Sequence, residues 1–264
     1  MALICMAMYD TEENDRVWLT IETLKTLRQT VSLAKHRIVL VDNGSCQRTK
    51  DAILAFQTWY AGSNKLTVIT LPKNIGTARA INKGWQLRQP GEHAVKMDND
   101  VQIEYLDWAD ELERAVNIDP TIGIAGLKRT DCEETPWNKS EWYRSTLHML
   151  PHERGDPWII VEEANHVMGT CQLYSSLLLD KIGYLYQMGG LYGFDDALAS
   201  ARAHVAGFRT VFLPHIPIVH LDPGGTEYTK WKSDYGWEYM KKFNATRLAY
   251  ENGTRPVYQG PEDE

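Results

Sequence analysis

The chain has 264 residues, of which 43% are hydrophobic and 24% charged, and it carries a formal net charge of −7 at pH 7. This ordinary globular composition predicts one α/β domain over residues 1–264. The acidic balance disfavours a protein whose whole surface attracts nucleic acid. We expect no membrane insertion, because no apolar run has the length of a bilayer span and the first residues lack a cationic leader.

Strand-like and helix-like patterns alternate through the first half of the chain. The strand patterns cover residues 3–9, 37–41, 66–71 and 93–97, and the helical patterns lie at about 13–33, 48–60, 76–88 and 106–117. Such alternation is typical of right-handed βαβ units, which build a mostly parallel central sheet flanked by helices. Turn-forming polar residues follow each strand, so we expect them to meet at one edge of the sheet, where open α/β sheets bind ligands.

The second half is less regular. After a strand at 122–127, residues 128–156 form a polar, aromatic stretch that we interpret as an excursion on the substrate side. Further strands are predicted at 158–161, 167–174, 210–213 and 216–220, with helices at 175–182 and 195–205. The tail beyond residue 225 is predicted to be helical to about residue 249 and then disordered. Four scattered cysteines favour a reducing, cytoplasmic location: Cys5, Cys46, Cys132 and Cys171.

Two carboxylates one residue apart stand out at Asp98-Asn99-Asp100, directly after the apolar run 93–97. Hard cations such as Mg²⁺ and Mn²⁺ take oxygen ligands and are commonly held by one or two carboxylates, with nucleotide phosphates completing the shell. Asp and Asn also dominate ordinary turns, because their side chains bond the nearby backbone. The triplet alone therefore leaves a metal site and a simple turn open.

Several motifs in order resemble those of the GT-A fold glycosyltransferases, most closely family 2, and the likeness extends from Leu3 to about His220. They are Val-Asp-Asn-Gly-Ser at 41–45, the segments 74–76 and 82–84, the triplet at 98–100, and Gly-Phe-Asp-Asp at 193–196. The last resembles an acidic element in which Trp and Glu are commoner than Phe194 and Asp195. The resemblance implies a Rossmann-like fold with a donor half at 1–127, an acceptor and catalytic half at 128–225, and a tail at 226–264.

The resemblance also implies how a nucleoside-diphosphate sugar is bound. Asp42 is expected to hydrogen-bond the nucleobase or ribose, since a carboxylate accepts from imide and hydroxyl groups. Asn74 and Gly76 precede a helix that includes Arg79, so backbone N–H groups and a guanidinium are expected to face the diphosphate. Asp98 is expected at the ribose or at a metal-bound water. A turn role for Asp42 and a solvated one for Arg79 stay open.

Metal and catalytic roles follow from the same likeness. Asp100 is expected to bind Mn²⁺ or Mg²⁺ directly, with Asp98 beside it and His220 as a further ligand. Asp196 is the expected general base for transfer of the sugar to an acceptor hydroxyl, with inversion, and Asp195 is its acidic neighbour. Acidic residues in a first helical turn also stabilise the helix dipole, which is the alternative explanation for this pair.

Acceptor binding is expected at aromatic residues of the irregular segment and the tail. Trp137, Trp142, Trp158 and Trp231 are candidates for a platform under a sugar ring or a base. The tail also interleaves aromatic residues with lysines, a pattern that suits nucleic acid and makes a hydroxylated DNA base a possible acceptor. An amphipathic helix packing its aromatic side chains on the body explains the same pattern.

Three other functions are alternatives to glycosyl transfer. A sugar-phosphate nucleotidyltransferase needs a Gly-rich phosphate loop after the first strand, and residues 8–12 contain no glycine. A nicotinamide dehydrogenase needs Gly-x-Gly-x-x-Gly after a strand, which is absent from the sequence. A non-catalytic protein that binds a nucleotide sugar has the same binding residues and differs only in showing no turnover.

Overall fold

A computed structural model describes residues 1–131, 146–151, 158–222, 224 and 227–261. The strands are β1 (Ala2–Met8), β2 (Arg37–Asp42), β3 (Leu66–Thr70), β4 (His93–Met97), β5 (Val101–Gln102), β6 (Ile122–Arg129), β7 (Thr146–Met149), β8 (Ile160–Glu163), β9 (Cys171–Tyr174) and β10 (Arg209–His220). The helices are α1 (Val17–Thr30), α2 (Gln47–Trp59), α3 (Thr77–Trp85), α4 (Trp108–Ile118), α5 (Ser176–Ile182), α6 (Asp195–Val205) and α7 (Glu227–Glu251).

These strands form one central sheet in the order β3-β2-β1-β4-β9-β6-β10-β8-β7, and β5 pairs with β10. The run β3-β2-β1-β4 is parallel, as is the pair β6-β10, whereas β9 runs antiparallel between β4 and β6. The predicted α/β class is confirmed. Its parallel part follows from the βα alternation of the first half, because parallel neighbours need a crossover helix.

Helices cover both faces of the sheet. Successive residues of β1 point to opposite faces, so Ile4 packs in one apolar cluster and Leu3 in another. Helices α1, α2 and α4 cover the Ile4 face, and α3, α5 and α6 cover the Leu3 face. A Cβ on Gly84 of α3 would lie 2.3 Å from the Cys5 sulfur, so this glycine lets α3 approach β1 closely.

The second half differs from the predictions at several strands. β9 begins at Cys171 rather than at residue 167, and β5 and β7 were not predicted. The two strands predicted at 210–213 and 216–220 are one continuous strand, β10, whose pairing with β6 shifts register between Leu213 and Pro217. A proline carries no backbone N–H to donate, which explains why the sequence pattern breaks where the strand continues.

The helical tail is confirmed as α7, but the predicted disorder after it is wrong for residues 252–261. Gln259 donates its N–H to the Ile182 carbonyl at 2.8 Å and accepts from the Tyr184 N–H at 3.0 Å. The buried Arg202 guanidinium donates to the Val257 and Tyr184 carbonyls, at 2.8 Å each. These bonds fix the segment on the body. Residues 262–264 lie outside the described ranges.

Membrane insertion and the state of the cysteines can be compared with the described residues. None of the described helices combines the length and hydropathy needed to cross a bilayer. Cys5, Cys46 and Cys171 carry free thiols, and Cys132 lies outside the described residues. A cytoplasmic location stays a prediction.

Candidate active site

A cavity of about 850 Å³ opens at the carboxyl ends of β1 and β4. It is as large as the pockets that hold drug-sized ligands. Its walls come from the loop before α1, the end of β4, the start of α6, the end of β10 and one face of α7. Parallel strands end at the same edge of a sheet, so the fold gathers polar residues far apart in sequence into this one space.

Asp100, His220 and Asp222 form a compact group in this cavity, with one potential ligand atom of each within 4.8 Å of the others. Strand pairing explains how they meet. The residue pair His220 and Val101 is in register in the antiparallel β5-β10 ladder. The Leu221 N–H also donates to the Asp100 carbonyl at 2.8 Å. His220 Nε2 consequently lies 3.4 Å from Asp100 Oδ2.

The chemistry of this group fits a divalent cation. Two carboxylates and an imidazole are ligands that Mn²⁺ accepts. Asp100 Oδ1 is buried and accepts no hydrogen bond within the described ranges. Burial acts to raise the pKa of Asp100, but His220, Lys232 and Arg16 lower it to about 2, so this carboxylate is ionised as a metal ligand must be.

The structure brings Asp100 and His220 together, as predicted, and adds Asp222, which the sequence analysis did not assign. The sequence did contain a hint of this role, because Asp222 follows the predicted ligand His220 by two residues. Asp98 lies outside the group: its Oδ1 faces the Lys96 ammonium at 3.3 Å instead. Metal ligation by Asp98 stays a prediction.

Lys96 is a buried cation that the sequence analysis missed. Its Nζ donates to the Gly169 carbonyl at 3.0 Å and lies 3.4 Å from Asp195 Oδ2, in addition to its contact with Asp98. Burial lowers the pKa of Lys96, but the charges of Asp195, Asp98 and Asp196 outweigh it and raise the pKa well above its ordinary value. The only hint in the sequence was one charged residue inside an otherwise apolar strand.

Asp195 and Asp196 open α6 and both line the cavity, but their surroundings differ. Burial raises the pKa of Asp195, against the lowering effect of Lys96. Asp196 accepts from the Gly169 and Ala197 N–H groups, at 2.8 Å each. Although burial acts to raise the pKa of Asp196, His166, Lys96 and these N–H groups lower it. Asp196 is also the more exposed side chain, at 25% against 10%.

His166 is a further neighbour of Asp196 that the sequence analysis missed. Its Nε2 lies 3.7 Å from Asp196 Oδ2, and its Nδ1 lies 3.5 Å from the Ser200 hydroxyl. Burial lowers the pKa of His166, although the charge of Asp196 acts to raise it. The two backbone N–H groups fix the orientation of the Asp196 carboxylate, and His166 lies beside it.

The predicted nucleotide-binding residues are held by a local network. Asp42 is buried at the end of β2, and its Oδ1 accepts from the Ser45 N–H at 2.7 Å. Asn74 Oδ1 accepts from the Asn43 amide and from the Gly76 N–H, at 2.9 Å each. Asn74 lines the cavity, whereas Asp42 is not part of its described wall. Asp42 Oδ2 is buried and has no hydrogen-bond partner within the described ranges.

The start of α3 differs from the prediction of an open anion site. The Thr77 N–H donates to the Leu191 carbonyl at 3.1 Å, and the Ala78 N–H donates to Gln187 Oε1 at 3.0 Å. Gly76 has φ +98° and lies so close to Gln187 that a Cβ would come within 2.7 Å of Oε1. These two helical N–H groups are therefore satisfied by the protein. Arg79 is half-buried and, like Gly76, is not part of the described cavity wall.

Among the candidate acceptor aromatics, Trp231 on α7 lines the cavity, with its ring 5.8 Å from Tyr192 and 5.7 Å from Tyr235. Trp158 is 56% exposed and not part of the described cavity wall. Trp137 and Trp142 lie outside the described residues. Farther along α7, Phe243 packs into an apolar cluster with residues of α6. At this position the tail is an amphipathic helix whose aromatic side chain packs on the body.

The mostly parallel sheet flanked by helices, with the cavity at its strand ends, is the GT-A fold of the glycosyltransferases. The family model "Glycosyl transferase family 2" matches residues 4–183. This chain belongs to glycosyl transferase family 2. No curated protein is significantly similar to it in sequence.

Solved structures share the fold at low sequence identity. A mannosyltransferase from Pyrobaculum calidifontis in complex with GDP-Man and Mn²⁺ is similar with a TM-score of 0.65 and 18% identity, over 87% of this chain and 59% of that one. GalNAc-T7 with UDP, GalNAc and Mn²⁺ has a TM-score of 0.61 and 12% identity, over 83% and 43% of the two chains. A fragment of TarS from S. aureus in complex with UDP has a TM-score of 0.58 and 18% identity, over 83% of this chain and 60% of that one. This chain thus spans about three-fifths or less of these proteins.

Proposed function

We propose that this protein is a metal-dependent glycosyltransferase that moves a sugar from a nucleoside-diphosphate sugar to an acceptor hydroxyl. The main observation behind the proposal is the group of Asp100, His220 and Asp222 in the cavity at the strand ends. Membership of glycosyl transferase family 2 supports the reaction class. Complexes of similar structures with Mn²⁺ and either a nucleotide sugar or UDP support the ligands.

Asp100, His220 and Asp222 would hold Mn²⁺ or Mg²⁺, which would supply a Lewis acid for the departing diphosphate. The protein contributes its own charge at the same place, because the Lys232 ammonium of α7 lies 3.9 Å from Asp222 Oδ2. Asn74 and Thr77 also line the cavity and are proposed to position the donor. Asp42, with its unbonded buried oxygen, is proposed to accept a hydrogen bond from the nucleobase or ribose.

Asp196 is proposed as the general base that takes the proton from the acceptor hydroxyl. Its lowered pKa keeps it ionised, and two backbone N–H groups fix its direction while each carboxylate oxygen keeps acceptor capacity. Asp195 is held by Lys96 and is proposed to position the helix start. Attack of the deprotonated acceptor oxygen on the sugar carbon, from the face opposite the departing diphosphate, gives inversion, which family likeness also favours.

The acceptor is proposed to enter between the start of α6 and Trp231, whose ring offers an apolar face at the cavity wall. We favour a saccharide hydroxyl over a base in DNA. Carboxylates outnumber lysines and arginines around the cavity, and their charge repels a phosphate backbone.

The function is tested by a panel of UDP-sugars and GDP-sugars with Mn²⁺, with release of nucleoside diphosphate as the measurement. Oligosaccharides and hydroxymethylated DNA serve as the acceptors. We expect one donor to give release that rises with a saccharide acceptor, stops on chelation and is lost in Asp100→Asn. Tight donor binding without release would identify a non-catalytic binding protein, and release that survives both chelation and Asp100→Asn would contradict the metal role.

A further inference from the structure

Arg16 places a buried guanidinium on two members of the proposed cation group. The residue precedes α1 and is 7% exposed. Its Nη2 donates to Asp100 Oδ2 at 2.6 Å, and its Nη1 donates to Asp222 Oδ2 at 2.9 Å. One side chain therefore bridges two carboxylates that lie far apart in the sequence.

This bridge and a bound cation compete for the same two carboxylates, because Arg16 already bonds Oδ2 of each. Asp100 Oδ2 already faces both Arg16 and His220, at 2.6 Å and 3.4 Å. A divalent ion at this point would bring a second positive charge next to the guanidinium, and like charges at such short range repel strongly inside a protein. Ionised carboxylates bonded to Arg16 are also poorer ligands, because part of their lone-pair capacity is used.

A second partner for Arg16 is available in the same cavity. Arg16 lines the cavity wall together with Asn74 and Thr77, where the donor is proposed to bind. A diphosphate presents planar groups of anionic oxygens, and a guanidinium binds such groups with two parallel hydrogen bonds. Phosphate oxygens in this cavity would therefore give the guanidinium new partners, so that its charge would not be left buried and unpaired.

We propose that Arg16 is a positioning residue that couples cation binding to donor binding. It holds Asp100 and Asp222 until the diphosphate draws the guanidinium away, which would free both carboxylates to bind the cation. Because binding free energies are reciprocal, the cation and the nucleotide each tighten the other. This inference rests on the proposed function and adds a residue and an order of events to it.

The test measures Mn²⁺ affinity by electron paramagnetic resonance, with and without UDP or GDP, in the full chain. We expect Arg16→Met to tighten Mn²⁺ alone by about tenfold and to shrink the enhancement by nucleotide by a similar factor. Arg16→Lys keeps the positive charge but cannot bond both carboxylates at once as a guanidinium does. Its Mn²⁺ affinity is therefore expected to lie between those of wild type and Arg16→Met. Lys25→Met, on the exposed side of α1, is the matched control and is expected to behave as wild type.

The outcomes separate this inference from the proposed function. If Mn²⁺ binds the wild type in an Asp100-dependent way but Arg16→Met and Arg16→Lys bind it no more tightly, the role of Arg16 is overturned and the cation site stands. If Mn²⁺ binds equally well to wild type and Asp100→Asn, the cation site itself is overturned. Thermal unfolding of each variant shows whether it is folded, and the Lys variant carries the test if the Met variant is not.

Discussion

Asp196→Asn is expected to lower kcat by about 10²–10⁴-fold while the dissociation constant for the donor changes little. The amide keeps the size of the side chain but cannot take a proton from the acceptor hydroxyl. Binding of the donor does not need that proton transfer, so ground-state affinity is retained. The measurement is a single-turnover assay beside titration of the donor by calorimetry.

The matched control is Asp180→Asn, an exposed carboxylate on α5 that pairs with Arg88 at 3.4 Å. It is expected to leave both constants unchanged, which shows that loss of a negative charge alone has no effect. A variant at Asp196 that keeps its turnover, or that loses donor affinity as strongly as rate, would rule out the base and point to a binding role.

Lys96→Met is expected to destabilise the fold by about 3–5 kcal/mol, since it leaves buried carboxylates without their cation. Asp98, Asp195 and Asp196 surround this ammonium. Without it, their mutual repulsion favours uptake of a proton, which removes the ionised form of the site that the proposed mechanism needs. Urea unfolding measures the loss of stability, and the same variant is expected to show little turnover.

Two companion variants sharpen the Lys96 experiment. Lys181→Met, at the exposed end of α5, is expected to stay within about 0.5 kcal/mol of wild type. The double variant Lys96→Met with Asp195→Asn is expected to recover part of the lost stability, because it removes one of the unpaired charges. A loss at Lys96→Met below about 1 kcal/mol would show that the ammonium is not structurally needed.

The sequence was most informative where local pattern and chain order decide the structure. The alternation of strands and helices before residue 127 depends on short-range periodicity, and the parallel run β3-β2-β1-β4 follows from it. The position of Asp98-Asn99-Asp100 after a buried strand placed it at the sheet edge for the same reason. Asp42 and Asn74 were similarly located by the strand ends that precede them.

The rest of the site could not be predicted from the sequence, because it depends on contacts between residues far apart in the chain. Asp222 joins Asp100 only because the two-residue strand β5 pairs with the end of β10, and so short a strand has no pattern of its own. Arg16 lies in a loop, where nothing in the sequence sets its partners. Lys96 was concealed by the apolar residues around it. The N–H groups of α3 were predicted to be open because Gln187 lies more than a hundred residues away in sequence.

The central claim is that Asp100, His220 and Asp222 hold a divalent cation beside the diphosphate of the donor. It is tested most directly by anomalous diffraction from crystals grown with Mn²⁺ and either UDP or GDP. We expect a manganese peak within bonding distance of these three side chains, with the diphosphate oxygens against the same ion. A peak at other side chains, with the nucleotide bound away from the ends of β1 and β4, would contradict it.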